Sequence, residues 1–267
     1  MPTSGLLGDY ERKRGRAMFH FDCLRKAVEG SANVEREPVP AKFDRDASKY
    51  VFEVPLEAIN PDWALFVGEF VYNTRASLDY LITALVRSTD EEEQTSNQFP
   101  IYGIEVQDVA WQDIPQWWDT SRKVTRQLKD TPFGTKAALK QLQPFYGMPT
   151  TDPTRHPLLA LNVLSNRDKH RRLNLLAYAA RYQFVDALRK PIFDGLPADG
   201  RIPETYEGST YTVFLNWGKA DMDVYLLPTY DVALHEPGEL IGNLIETLAG
   251  INQFIDGRVL PAVATLL

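Results

Sequence analysis

Between Pro61 and Ser88 the chain runs PDWALFVGEFVYNTRASLDYLITALVRS, and this stretch limits the available folds more than any other. Turned through about 100° per residue, Trp63, Phe66, Val67, Phe70, Val71, Leu78, Leu81, Ile82 and Leu85 gather on one arc. The arc is too wide for a helix lying on a surface, so the spacing predicts a helix over 61–88 packed on more than one side. Asp62 is placed to cap it, with Pro61 just before. Its polar residues fall on two flanks. Arg75 and Asp79, four apart and able to touch, share one flank; Glu69, Asn73 and Tyr80 line the other. Exposed pairs of this kind contribute only about 0–1 kcal/mol. Arg75 and Asp79 are therefore expected to be a partly buried pair pinning this helix to a neighbour.

The expected neighbour is LLALNVLSNRDKHRRL, Leu158–Leu173, read as a helix over 156–172. Leu158, Leu161 and Leu164 cover much of its surface, while Asn162, Asn166 and His170 recur every four residues as one polar stripe. A helix this apolar is buried, so its stripe is buried too or faces a cleft, and buried amide and imidazole groups need partners. Arg75 or Asp79 is expected within hydrogen-bonding reach of Asn166 or His170.

Two further helices are expected, over 6–29 and 238–260. The first is stopped by Gly30 and Ser31; the second is ended or kinked at Gly257 or Pro261. A hairpin is predicted from Val34–Phe43 and Lys49–Leu56 around the DRDAS turn, with Pro38 and Pro40 confining its first strand to an edge. Ser209–Trp217, the region after Asn174, and Met222–Leu234, broken at Pro228, supply more strands. The fold class is thus α+β: a bundle of about four main helices packed with an antiparallel β-sheet. With no convincing linker, residues 1–267 are expected to form a single domain.

Net charge excludes some partners. At −7 the chain has no global basic field to attract nucleic acid or anionic membrane. The Arg12, Lys13, Arg14 and Arg16 cluster reads as a solvated helix face. One cysteine, Cys23, excludes an internal disulfide and a multi-cysteine metal site, and the four histidines lack clustered ligand spacing. No metal and no cofactor is called for. No GxGxxG, GxxxxGK[ST] or GxSxG pattern is present. The N-terminal residues lack an apolar signal core, and no apolar run approaches the roughly 18 residues a membrane span requires, so a cytoplasmic protein without membrane contact is expected. Trp111, Trp117 and Trp118, around Pro115, are expected to serve core or lid packing.

Four segments carry a resemblance: VGEFVYNTRASLDYL (Val67–Leu81), QFPIY (Gln98–Tyr102), LQPFYG (Leu142–Gly147) and LSNRDKHRRL (Leu164–Leu173). Together they resemble a family of uncharacterised prokaryotic proteins. In that family's pattern a histidine stands where this chain has Tyr80, and an arginine followed four residues later by histidine is similar to the signature of HEPN ribonucleases, which are helical and metal-independent. The resemblance implies a concrete enzyme. Arg75 would hold phosphate, His170 would act as acid or base oriented by Asp79, and Asn73 and Asn166 would position substrate. Arg167, Lys169, Arg171 and Arg172 would add local positive charge. Because Tyr80 replaces the signature histidine, the favoured reading is a non-catalytic binding or interaction module with an Arg–Asp–Asn–His cluster. Its binding residues would be Asn73, Tyr80, Asn166, Arg167, Lys169 and Arg171. A protein partner or a second copy is compatible with that module; RNA fits the net charge less well.

Overall fold

The computed structural model describes residues 3–32, 34, 36–55, 59–103, 109–146, 156–170, 175–190, 206–207, 210–215, 223–236 and 239–267. Arg171, Arg172 and most of the Gly195–Gly208 connection lie outside them. The fold is α+β. The chain, expected to be one domain, divides into two compact units, each built from separated segments. One comprises Met1–Cys23, Ala64–Leu173 and Ile245–Leu267, the other Leu24–Trp63 and Asn174–Leu244. Three of the four borders fall within a helix or at its first residue, so no proline- or glycine-rich linker marks them in the sequence.

The first unit is helical. α1 (Gly8–Ala32) contributes its N-terminal part, followed by α2 (Asp62–Arg87), the short α3 (Ile114–Thr120), α4 (Arg122–Gln127) and α5 (Thr135–Lys140), then α6 (Pro157–His170) and α7 (Leu244–Phe254). α2 is the expected central helix. Val67, Phe70, Val71, Leu78, Leu81, Ile82 and Leu85 are fully buried, and so are Thr74, within the same arc, and Ser77, at its edge. The capping oxygen at its start belongs to Asn60 rather than Asp62. Asn60 Oδ1 accepts from the Asp62 N–H at 2.9 Å, which leaves Pro61 at the first helical position, where its missing N–H costs nothing.

Neighbouring helices meet in pairs. Phe21 of α1 packs on Phe70 of α2 with ring centroids 5.9 Å apart. α2 and α6 approach closely at Gly68, where a Cβ would stand 2.6 Å from Asp168 Oδ1. Asp168 therefore faces α2. His156 caps α6 through Nδ1, which accepts from the Leu158 N–H, and its ring packs edge-on against Phe254 of α7. Arg14 is buried, unlike the rest of its basic cluster; it donates to Asn252 of α7 and to both oxygens of Asp256. Past Phe254 the helix widens into a π turn, Ile255–Val259, and resumes as α8 (Leu260–Ala264). Pro261, which has no N–H to donate, sits just after that turn, so the helix adjusts its register there and continues.

The second unit holds two four-stranded antiparallel sheets where the sequence suggested one. Its strands are β1 (Val39–Pro40), β2 (Lys42–Asp44), β3 (Lys49–Pro55), β4 (Leu175–Val185), β5 (Tyr206–Glu207), β6 (Thr210–Leu215), β7 (Tyr225–Glu236) and β8 (Glu239–Asn243). The order is β1-β7-β4, with β8 also on β7, in one sheet and β2-β3-β6-β5 in the other. The predicted hairpin is β2–β3; Asp44 Oδ1 accepts from the Asp46 and Ala47 N–H groups and so closes its turn. β3 alternates, burying Tyr50, Phe52 and Val54 in a core with Phe184, Leu215, Val224 and Leu226 from strands and adjoining residues of both sheets.

Two strand expectations change. Pro228 does not interrupt β7. On its other edge β7 pairs with β1 at Tyr225–Leu226 and with β8 from Ala233 onward, so Pro228 falls in the stretch between, where a missing donor is tolerated. Residues 239–243, read as helix, pair with the end of β7 instead, so the closing helix begins at Leu244. Cross-strand pairing overrides the helical spacing of Ile241 and Leu244 there, helped by Gly242, a poor helix former.

Candidate functional site

The candidate residues separate along the two flanks of α2. On the first flank, Asp79 Oδ1 accepts from the Phe99 N–H at 2.9 Å, and Arg75 Nη2 donates to the Phe99 carbonyl at 2.7 Å. The two side chains also pair with each other, Arg75 Nη1 lying 3.3 Å from Asp79 Oδ1. One arginine and one aspartate thus satisfy both backbone polar groups of a single residue. Burial pushes the Arg75 guanidinium below its ordinary pKa, and the Asp79 charge opposes that shift. The guanidinium is 17% exposed and the carboxylate 35%, so the pair is partly buried, as its spacing implied.

Phe99 lies in the QFPIY segment, whose central Pro100 cannot donate to a strand ladder, so its backbone groups need side-chain partners. Gln143, fully buried in the LQPFYG segment, supplies the next ones. Its Nε2 donates to the Pro100 carbonyl at 2.9 Å and its Oε1 accepts from the Tyr102 N–H at 3.1 Å. The Tyr102 hydroxyl donates to Gln127 Oε1 at 2.7 Å, and the ring lies edge-on to Trp117 and Trp118. Burial drives the Tyr102 pKa up to about 12, against the attraction of Arg75 and Arg126. Trp118 is fully buried, a core role; the Trp111 side chain lies outside the description. Three of the four resemblance segments therefore converge on one extended piece of backbone. Gln143 was not singled out from sequence, and its only signal there was membership of LQPFYG.

The second flank faces α1. Asn73 Nδ2 donates to the Glu69 carbonyl at 2.7 Å and to Glu69 Oε2 at 3.1 Å, while Asn73 Oδ1 accepts from Lys13 Nζ at 3.3 Å. Lys13 also lies 4.9 Å from the ring centre of the exposed Tyr72. Tyr80 lines a shallow cleft of about 430 Å³ together with Asp9, Arg12, Lys13 and Arg16. The sequence signal for this cleft was the basic cluster of α1, with Arg12 and Arg16 one helical turn apart.

On α6, Asn166 is exposed, forms no hydrogen bond with any described residue, and so is not a partner of the Arg75–Asp79 pair. Arg167 is half-buried. Burial and the Glu69 charge push the Asp168 carboxyl above its usual range. Lys169 and His170 close the helix, but their side chains, like Arg171 as a whole, lie outside the described residues. The hydrogen bonds described for Arg75 and Asp79 go to Phe99. Among the described residues no group of three or more histidine, cysteine, aspartate or glutamate side chains is arranged to hold a metal ion, and no helix is long and apolar enough to cross a membrane. No protein-family model, curated protein or solved structure matches the chain.

Proposed function

We propose that this chain is a non-catalytic binding module working in the cytoplasm. The observation that carries the reading is the double grip of Arg75 and Asp79 on the backbone of Phe99. A guanidinium that binds substrate phosphate must be free to turn toward it, and a carboxylate that orients a histidine must be free to accept from it. Here both groups hold an internal segment. In this reading α1, α2, α6 and α7 act as a four-helix bundle, and QFPIY is strapped to it by side chains. Recognition falls to the opposite flank, where Tyr80, Arg12, Lys13 and Arg16 line an open cleft and buried Asn73 holds Lys13 in place.

The test is incubation of purified protein with single-stranded RNA, with and without EDTA. No cleavage above the buffer control is expected at any pH near the histidine range. Cleavage that persists in EDTA and disappears in His170→Ala, with the fold intact by circular dichroism, would overturn the reading in favour of a HEPN-like metal-independent ribonuclease.

A further inference from the structure

We propose that the cleft between α1 and α2 binds a phosphate-bearing ligand. The inference rests on the binding-module reading and names the ligand class of its exposed flank. Arg12, Lys13 and Arg16 line the cleft against one carboxylate, Asp9, a surplus of two positive charges in a chain whose net charge is −7. Asp9 is already shared: Arg12 Nη2 lies 2.6 Å from it and Arg87 Nη1 3.5 Å. The Arg12 hydrogen bond is the main influence holding its carboxyl below the usual range. Asp9 therefore steadies Arg12 at the cleft edge and leaves the other cations unneutralised.

Lys13 is held by Asn73 and lies close to the face of Tyr72, so its ammonium is positioned rather than free. Arg16 is exposed and has no ion pair or hydrogen bond among the described residues. Arg12 and Arg16, four apart, project from one face of α1, where two planar forks can meet the oxygens of one phosphate group. Tyr80 closes the opposite wall with a hydroxyl that can donate. A volume of about 430 Å³ is within the range of small-ligand sites. A surplus of two charges suits a phosphate better than a single carboxylate, because a phosphate carries up to two negative charges and more acceptor oxygens. Tyr72, 57% exposed beside Lys13, offers a flat apolar face next to the anion position.

The phosphate can come from a free phosphorylated molecule or from a phosphodiester strand. Inorganic pyrophosphate and a short fluorescent single-stranded oligonucleotide distinguish the two sources. Titration at low salt, by calorimetry for the first and anisotropy for the second, is expected to show saturable binding of at least one. Arg16→Glu should weaken that binding by about tenfold or more, and Tyr80→Phe by about threefold. Arg122→Glu, the same change of net charge at an exposed position away from the cleft, should leave it unchanged. Thermal melts by circular dichroism establish that each variant folds. Pyrophosphate binding assigns a free ligand. Oligonucleotide binding alone, falling steeply with salt, assigns a strand. The proposal is overturned if neither probe binds saturably, or if Arg122→Glu weakens binding as much as Arg16→Glu. RNA cleavage would remove the binding-module reading whatever these titrations show; absent anion binding without cleavage would remove only this inference.

Discussion

Replacing Asp79 by alanine tests the central structural claim most directly. The change removes the acceptor for the Phe99 N–H and the partner charge of Arg75 together. Phe99 is fully buried, so its N–H gains little from water, and an orphaned buried donor costs about 1–3 kcal/mol. Stranding the partner of a fully buried ion pair costs about 3–5 kcal/mol. That figure must be reduced here, because Asp79 is 35% exposed and Arg75 keeps the Phe99 carbonyl. The two contributions overlap, which gives an expected loss of about 2–4 kcal/mol for Asp79→Ala. Asp79→Asn keeps an oxygen in place to accept from Phe99 and should lose about half as much, roughly 1–2 kcal/mol. Urea denaturation followed by tryptophan fluorescence is the assay, because buried Trp118 packs against Tyr102 of the same segment. The double substitution with Arg75→Met should be less damaging than the sum of the single ones, since the two residues form one unit. A loss below about 1 kcal/mol for Asp79→Ala, the range of exposed pairs, or additivity with Arg75→Met, would refute the clamp.

Gln143→Ala should cost about 2–4 kcal/mol in the same assay, because it leaves the Tyr102 N–H and one bond of the Pro100 carbonyl unmade; a change below about 1 kcal/mol would count against the clamp. Gly103→Ala should destabilise by about 1–3 kcal/mol, since its Cβ would meet buried Leu159, whereas Gly68→Ala should stay within about 1 kcal/mol of wild type because exposed Asp168 can swing aside; thermal melts of the pair check the contrast. His156 is held by burial at a pKa of about 4, below the ordinary 6.5. Between those values the unfolded chain binds a proton that the fold does not, so the stability from neutral His156 is complete above pH 6.5 and falls as pH drops toward 4, by up to ~3 kcal/mol. Urea midpoints across that window should slope less in His156→Asn than in wild type, and equal slopes would contradict the assignment.

The long helices were legible from their apolar arcs but not from their stop signals: α1 runs through Gly30 and Ser31 to Ala32, and the last helix continues past Gly257 and Pro261. Pro61 and the arc through Leu85 placed α2 within a residue at each end, and the run from Leu158 placed the start of α6 within a residue. The sheet was less legible because strand order depends on partners far apart in the chain. Nothing in Ser209–Trp217 says that β6 lies against β3, or that β4 lies against β7. At the site, the spacing of α2 correctly put Arg75 and Asp79 on one flank and Asn73 and Tyr80 on another. It could not show what Arg75 and Asp79 hold, because their partner is the backbone of Phe99, and backbone groups carry no sequence signal. Residues such as Asn166 and His170 attracted attention because side-chain chemistry is visible in a sequence, while Gln143, a buried amide serving two peptide groups, did not stand out.

The interleaving of the two units has a consequence for synthesis. The sheet unit requires Leu24–Trp63 and Asn174–Leu244, and the helical unit requires Met1–Cys23, Ala64–Leu173 and Ile245–Leu267. Synthesis from the N-terminal side must therefore pass Leu244 before the sheet unit has all its parts, and continue through Ile245–Leu267 before the helical unit has its own. Until then His156 of α6 lacks Phe254, and Arg14 of α1 lacks Asn252 and Asp256. These two side chains, buried in the folded unit, are for that interval without the partners that bury them. Cutting the chain at any single point between the outermost borders likewise leaves both units covalently incomplete rather than freeing one of them.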